Sequence, residues 1–169
     1  MQANPLLAED SEPTLADYSS PSLIVPSLRG LDAPSVIKEL SASLQRAGWI
    51  TDLLPFYQAA LNREYLCSTV TEPGWALPHV LVKGLQKPCF ALGRATGPIA
   101  WVGNNALRVQ LVFLLAAPET DARAYMTLML GLARLSRDIQ LLDRLLKADA
   151  SSEIFNLLRQ VRLPASRAP

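Results

Sequence analysis

The alternation of hydrophobic and polar residues along the chain predicts a small β-sheet. Residues 109–117 read V-Q-L-V-F-L-L-A-A, an almost unbroken apolar run that is typical of a strand buried on both faces. Shorter runs with β-strand character lie at residues 23–25, 80–82 and 89–93. We therefore expect a mixed sheet in which residues 109–117 occupy a central position.

Apolar residues at helical spacing predict five amphipathic helices around that sheet. Two precede it, over residues 32–47 and from Asp52 to about residue 64, and the first of these opens with a capping aspartate and an early proline. Three more follow residue 118, and their expected starts are Thr120 or Asp121, Asp138, and Ser151 or Ser152. The predicted fold is a single α/β domain with helices on both faces of the sheet.

The ends of the chain differ in composition from its middle. Residues 1–21 are rich in Pro, Ser and acidic residues, so we expect a flexible acidic tail followed by a domain over residues 22–160 and a C-terminal tail over 161–169. No apolar run approaches the roughly 20 residues that a membrane-spanning helix needs, and no secretory signal pattern opens the sequence. These features predict a cytoplasmic protein without membrane insertion.

The counts of metal-binding and basic residues restrict the possible chemistry. Two cysteines, Cys67 and Cys89, and one histidine, His79, are too few for a disulfide framework or a zinc site, so we expect both cysteines to be structural and neither a metal nor a cofactor to be needed. The net charge is +1, and the basic residues are scattered rather than clustered. This distribution favours no nucleic-acid partner.

His79 is the best candidate for chemistry, although a lone histidine is often structural. It follows Pro78 and a loop rich in Gly, Pro and Thr, where functional residues tend to lie. A single imidazole suits nucleophilic chemistry, in which one ring nitrogen accepts a group while the other is held by a hydrogen bond. A hydrolase using Ser68 with His79 is a weaker alternative, because no nucleophile-elbow pattern surrounds the serine. The nearby acids Glu64 and Glu72 are as easily explained as solvated charges.

The residues around His79 resemble a known family. Arg63 and Glu64, followed by Ser68 and Thr69, and then G-W-A-L-P-H over residues 74–79, are similar to the signature of the type 2 enzyme IIA domain of the phosphotransferase system, the fructose, mannitol and nitrogen-regulatory class. Later segments also resemble it: the P-I-x-W stretch, the long strand that ends in A-A-P, and the spacing of the helices that follow. The resemblance covers residues 22–160.

This resemblance implies a phosphoryl carrier. His79 would accept a phosphoryl group from the phosphocarrier protein HPr or its nitrogen-branch paralogue, and pass it to an enzyme IIB domain or signal to regulatory target proteins. Arg63 corresponds to the arginine that contacts the phosphoryl oxygens, and Ser68 and Thr69 to the hydroxyl pair that lines the pocket. Alternatively, Arg63 could be a charge that stabilises the last carbonyls of the helix, and Ser68 and Thr69 could make hydrogen bonds that stabilise the loop.

The loop before His79 departs from the family pattern. Residues 70–74 read V-T-E-P-G where the family usually has several glycines, and some members carry a second histidine in the helix near Tyr125 that this chain lacks. Glu72 would repel a phosphoryl group if it pointed inward. Because the chain contains neither a permease nor a IIB domain, a nitrogen-regulatory type is favoured over a sugar-specific one. The alternative is a IIA-like regulatory module that binds proteins without being phosphorylated.

Overall fold

A computed structural model describes residues 12–72 and 74–164, without the side chains of residues 104–106. In this part of the chain, five strands and five α-helices form one α/β unit. The strands are β1 (Ile24–Leu28), β2 (Trp75–Ala76), β3 (His79–Val82), β4 (Cys89–Trp101) and β5 (Asn104–Pro118). The helices are α1 (Ala33–Arg46), α2 (Leu53–Leu66), α3 (Ala122–Arg137), α4 (Ile139–Lys147) and α5 (Ser151–Leu158).

The sheet is mixed, as predicted, and β5 lies at its centre. The strand order is β1-β4-β5-β2. The β3 strand also pairs with β5, further along that strand than β2 does. The β4 and β5 strands are antiparallel, whereas β1 runs parallel to β4, and β2 and β3 run parallel to β5. The prediction for residues 109–117 is confirmed, since the run from Leu111 to Ala117 is almost fully buried.

Helices cover both faces of the sheet, as the sequence predicted. Phe113 and Leu115 of β5 pack with α3, α4 and α5 on one face. Val112 and Leu114, which alternate with these two residues along β5, pack with α1 and α2 on the other face. This alternation follows from the two-residue period of a strand, which sends successive side chains to opposite faces.

Two predicted strands are longer than the sequence pattern indicated. The β1 strand continues through Pro26, because it pairs only with β4 and its register shifts between Val25 and Leu28, so the missing N–H of the proline costs no ladder bond. The β4 strand continues beyond residues 89–93 to Trp101, across an irregularity between Arg94 and Ile99. A tight turn at residues 102–103 joins it to β5, and Gly103 adopts a φ of 80° there.

The packed unit begins earlier and ends later than residues 22–160. Leu15 is buried in a short 3-10 helix (Leu15–Tyr18), and its N–H donates to the carbonyl of Val161 at 3.0 Å. Leu163 is also buried, and both leucines fill the space over Gly131 of α3, where a Cβ would lie 2.2 Å from Leu163 and 2.7 Å from Leu15. The composition of residues 1–21, rich in Pro, Ser and acidic residues, did not predict these contacts. Residues 1–11 and 165–169 lie outside the described part of the chain.

Candidate functional site

His79 lies at an interruption of the sheet edge. Both β2 and β3 pair with β5, and Leu77 and Pro78 separate them. The Pro78 carbonyl accepts a hydrogen bond from Leu115 of β5 at 2.9 Å, and the Leu77 N–H donates to the Thr69 hydroxyl at 2.8 Å. The two residues before the imidazole are therefore held from opposite sides, by the central strand and by the loop that precedes β2.

A backbone hydrogen bond determines which nitrogen of His79 is available. Nδ1 lies 3.0 Å from the carbonyl oxygen of Leu77. A carbonyl can only accept, so Nδ1 carries the hydrogen in the neutral ring and Nε2 keeps its lone pair. The side chain is half-buried. This arrangement gives one oriented nucleophilic nitrogen at the protein surface.

An aromatic side chain from α3 packs against the imidazole. The ring of Tyr125, in the first turn of α3, has its centroid 5.9 Å from that of His79 at an interplanar angle of 44°. Burial raises the pKa of the Tyr125 phenol, and the positive charge of Arg63 acts on it in the opposite direction. Arg63 is therefore within electrostatic reach of the ring that packs on His79.

Arg63 extends from the last turn of α2. Its Nη1 donates to the Cys67 carbonyl at 2.7 Å, which agrees with the helix-end role that the sequence left open. This bond uses only part of the donor set, because a guanidinium has five N–H groups. The side chain is half-buried, so it holds a fixed position beside the site while keeping donors for an anion.

Glu64 is fully buried, so its interpretation as a solvated charge is wrong. Its carboxylate accepts hydrogen bonds from the Trp101 indole at 2.7 Å, from the Thr69 N–H at 2.8 Å and from the Thr69 hydroxyl at 2.9 Å. Glu64 lies near the end of α2 and five residues before Thr69, and this spacing was a sequence signal that its carboxylate could accept from the Thr69 N–H. The contact with Trp101, 37 residues away, was not visible in the sequence.

The two hydroxyls that follow Glu64 take part in loop hydrogen bonds. Thr69 donates to Glu64 and accepts from Leu77, so its hydroxyl connects the buried carboxylate to the backbone just before His79. Ser68 accepts from the Val70 N–H at 3.3 Å and lies 3.4 Å from a Glu64 oxygen, a weaker pair of contacts. No hydrogen bond joins Ser68 to His79 among the described residues, so the geometry does not favour the hydrolase alternative.

The loop before His79 turns its acid away from the imidazole. Glu72 is exposed and lines a groove of about 490 Å³ with Trp75 and the Ile139–Leu146 side of α4, and His79 is not part of this groove. Gly74 has a φ of 106°, and a Cβ there would lie 2.5 Å from the Arg108 carbonyl. The one retained glycine is therefore required by the close approach of the loop to β5.

The cysteines behave differently from one another. Cys89 is buried in β4, as expected, and burial raises the pKa of its thiol to about 12. Cys67 is exposed at the end of α2, where the chain leaves the helix in an extended conformation. The described residues contain no group of three or more potential metal ligands, and none of their helices is long and apolar enough to cross a membrane.

Comparison with known proteins identifies the family of the chain. The family described as "Phosphoenolpyruvate-dependent sugar phosphotransferase system, EIIA 2" matches residues 18–161. The chain belongs to this family. Within the EIIA family, the chain is 28% identical over 144 residues to a nitrogen regulatory protein of Bradyrhizobium diazoefficiens, covering 85% of this chain and 94% of that one.

The chain is also similar to a sugar-specific relative and to two solved structures. The chain is 28% identical over 126 residues to the fructose-specific EIIABC component of Bacillus subtilis, covering 75% of this chain but only 20% of that protein. The nitrogen regulatory protein IIA-Ntr of Neisseria meningitidis has a TM-score of 0.72 at 21% identity, with 85% and 98% of the two chains covered. The mannitol enzyme IIA of Escherichia coli, solved in complex with phosphorylated enzyme IIB, has a TM-score of 0.69 at 18% identity, with 81% and 94% covered. These likenesses establish the IIA-type fold.

Proposed function

We propose that this EIIA-family protein is a phosphoryl carrier that acts in the cytoplasm and accepts its phosphoryl group on Nε2 of His79. The observation that carries the proposal is the hydrogen bond from Nδ1 to the Leu77 carbonyl, which directs the lone pair to Nε2. The donor is the phosphohistidine of HPr or of its nitrogen-branch paralogue. The recipient is an enzyme IIB domain or, in a regulatory role, a target protein that distinguishes the two phosphorylation states.

The transfer needs no metal ion and no additional reactant. The Nε2 lone pair of His79 forms the new N–P bond, while the N–P bond of the donor breaks and its electron pair returns to the donor imidazole. Nδ1 keeps its hydrogen, so the phosphorylated ring becomes positively charged. The Leu77 carbonyl, at 3.0 Å from Nδ1, then accepts a hydrogen bond from a charged donor, which is stronger than the bond in the neutral ring.

Arg63 and the two hydroxyls have separate roles in this proposal. The guanidinium of Arg63 balances the negative charge of the transferring group with the donors that Cys67 does not use. Ser68 can turn its hydroxyl toward a phosphoryl oxygen, because its contact with Glu64 is long at 3.4 Å. Thr69 acts through the backbone: its hydroxyl holds the Leu77 N–H and thereby the carbonyl to which His79 bonds.

Intact-mass spectrometry after incubation with phosphoenolpyruvate, enzyme I and HPr tests the proposal. We expect one acid-labile phosphoryl group on the wild-type protein, none on His79→Ala and slowed uptake by Arg63→Ala. Arg137→Ala is the matched control, since that arginine is exposed at the end of α3. No modification of the wild-type protein, with an active acceptor as positive control, would overturn the carrier and favour a module that binds proteins without phosphorylation.

We favour the nitrogen-regulatory type over the sugar-specific type. Support comes from the similarity to a nitrogen regulatory protein, at 28% identity over 94% of that protein's length, which slightly exceeds the similarity to the fructose-like EIIA component of Escherichia coli, at 27% identity over 89% of its length. The type is tested by comparing phosphorylation rates with the two donors, HPr and its nitrogen-branch paralogue, at equal concentration. Faster transfer from the paralogue supports the regulatory type, and faster transfer from HPr contradicts it.

A further inference from the structure

Tyr125 packs against the imidazole of His79 but has no part in the transfer proposed above. The ring centroids are 5.9 Å apart and the planes are inclined by 44°. Tyr125 belongs to the first turn of α3, a helix whose Leu128 and Leu132 are anchored in the core. A tyrosine has few rotatable bonds, so a ring held in this way limits rotation of the imidazole that it contacts.

Among residues 12–72 and 74–164, leaving aside the side chains of residues 104–106, the hydroxyl of Tyr125 has no hydrogen-bond partner. The residue is half-buried, and this burial raises the pKa of its phenol, so the group stays a protonated donor at neutral pH. A partly desolvated O–H without a protein acceptor gains most from a ligand that supplies one. Tyrosine here therefore offers more than the apolar surface that a leucine or phenylalanine would provide.

Arg63 places a second donor group near the same phenol. Its positive charge acts on Tyr125, although the two residues come from α2 and α3 respectively. A phosphoryl group carries several acceptor oxygens and close to two negative charges at neutral pH. A neutral donor that packs on the imidazole, with a cationic donor close enough to act on it, is suited to such a group.

We propose that Tyr125 is a further phosphoryl-binding residue, whose hydroxyl donates to an oxygen of the phosphoryl group on Nε2 while its ring keeps the imidazole oriented. The inference rests on the proposed function of His79. It separates the two roles of the residue: the ring acts on the free protein, and the hydroxyl acts only when the phosphoryl group is present. An interaction made only during and after transfer accelerates transfer rather than stabilising the fold.

Two substitutions at residue 125 distinguish these roles. Tyr125→Phe keeps the ring and removes only the hydroxyl, and Tyr125→Leu removes both. Tyr57→Phe is the matched control, because Tyr57 is a half-buried tyrosine of α2 packed on the other face of the sheet. Imidazole nitrogen NMR is unambiguous here, since His79 is the only histidine in the chain.

Phosphorylation is measured with two donors, phospho-HPr and the small-molecule donor phosphoramidate. For Tyr125→Phe we expect an unchanged imidazole tautomer, phosphoryl uptake from HPr slower by about tenfold, and a shifted ³¹P resonance in the chemically phosphorylated protein. Tyr125→Leu should in addition broaden the imidazole signals of the free protein. Tyr57→Phe should match the wild type in all these measurements.

The outcomes separate this inference from the proposed function. Wild-type uptake and a wild-type ³¹P resonance in Tyr125→Phe would overturn the role of the hydroxyl and leave the carrier intact. Phosphorylation of wild type by phosphoramidate but not by HPr would overturn the carrier, while the ³¹P comparison still decides the hydroxyl contact. No phosphorylation of His79 by either donor would overturn both.

Discussion

The β4–β5 hairpin and the segment from Arg63 to His79 lie against one another, yet different forces hold them in place. The hairpin is apolar and buried, with Phe113 and Leu114 fully enclosed between two layers of helices. The site segment is polar, and it is fixed by hydrogen bonds that converge on Glu64 and Leu77. The hairpin therefore provides stability, whereas the segment holds the imidazole of His79 in one orientation.

We expect a large change in the free energy of unfolding from a substitution in the β4–β5 hairpin. Phe113→Ala should destabilise the protein by about 3–5 kcal/mol, because a large cavity remains where the ring packed on Trp75 and Phe90. Denaturant unfolding measures this change. If the two regions are separable as described, the folded fraction of the variant still accepts a phosphoryl group on His79. Destabilisation below 1 kcal/mol would contradict the assignment of the core.

Glu64 is where the two regions meet, since its carboxylate binds both Thr69 of the segment and Trp101 of the hairpin. Glu64→Ala leaves the N–H groups of Thr69 and Trp101 without an acceptor, each at about 1–3 kcal/mol, so we expect a loss of about 2–6 kcal/mol and a slower transfer. Trp101→Phe is the matched variant, because it removes one donor and leaves the contacts to Thr69. Equal phosphorylation rates for Glu64→Ala and wild type would refute its positioning role.

The strands of the hairpin could largely be predicted from the sequence, whereas the contact of Glu64 with Trp101 could not. A run such as residues 109–117 is dictated by burial on both faces, so its local composition predicts a central strand. Glu64 has the local composition of a surface helix, and only a partner 37 residues away makes its burial favourable. The contact of Tyr125 with His79 is long-range in the same way, whereas His79 itself was recognisable from the motif around it.

A smaller effect tests whether the two hydroxyls differ as their geometry indicates. Thr69→Val removes the acceptor of the Leu77 N–H and one donor to Glu64, so we expect a loss of about 1–2 kcal/mol and slower phosphorylation. Ser68→Ala, with its longer contacts, should leave the free energy of unfolding within about 0.5 kcal/mol of wild type. The same loss of stability for both variants would contradict the division of roles.

The smallest effect lies outside both regions. Asp32 caps α1 through Ser35, and the hydrogen bonds from Ser35 lower its pKa. Asp32→Ala should cost about 1 kcal/mol at neutral pH with no change in phosphorylation rate. A lowered folded-state pKa stabilises the protein above the ordinary pKa of aspartate, and the benefit disappears as pH falls through the folded-state value. Unfolding measured between pH 7 and pH 3 should therefore show the two proteins converging, and a constant difference would contradict the role of the carboxylate.

In the proposed transfer, the Leu77 carbonyl fixes Nδ1 of His79 and leaves Nε2 to accept the phosphoryl group. Long-range ¹H–¹⁵N correlation NMR of the only imidazole in the chain, before and after phosphorylation, tests it directly. We expect a free ring protonated on Nδ1 and a modified ring with phosphorus on Nε2 and hydrogen still on Nδ1. A free ring protonated on Nε2, or phosphorus attached to Nδ1, would contradict it.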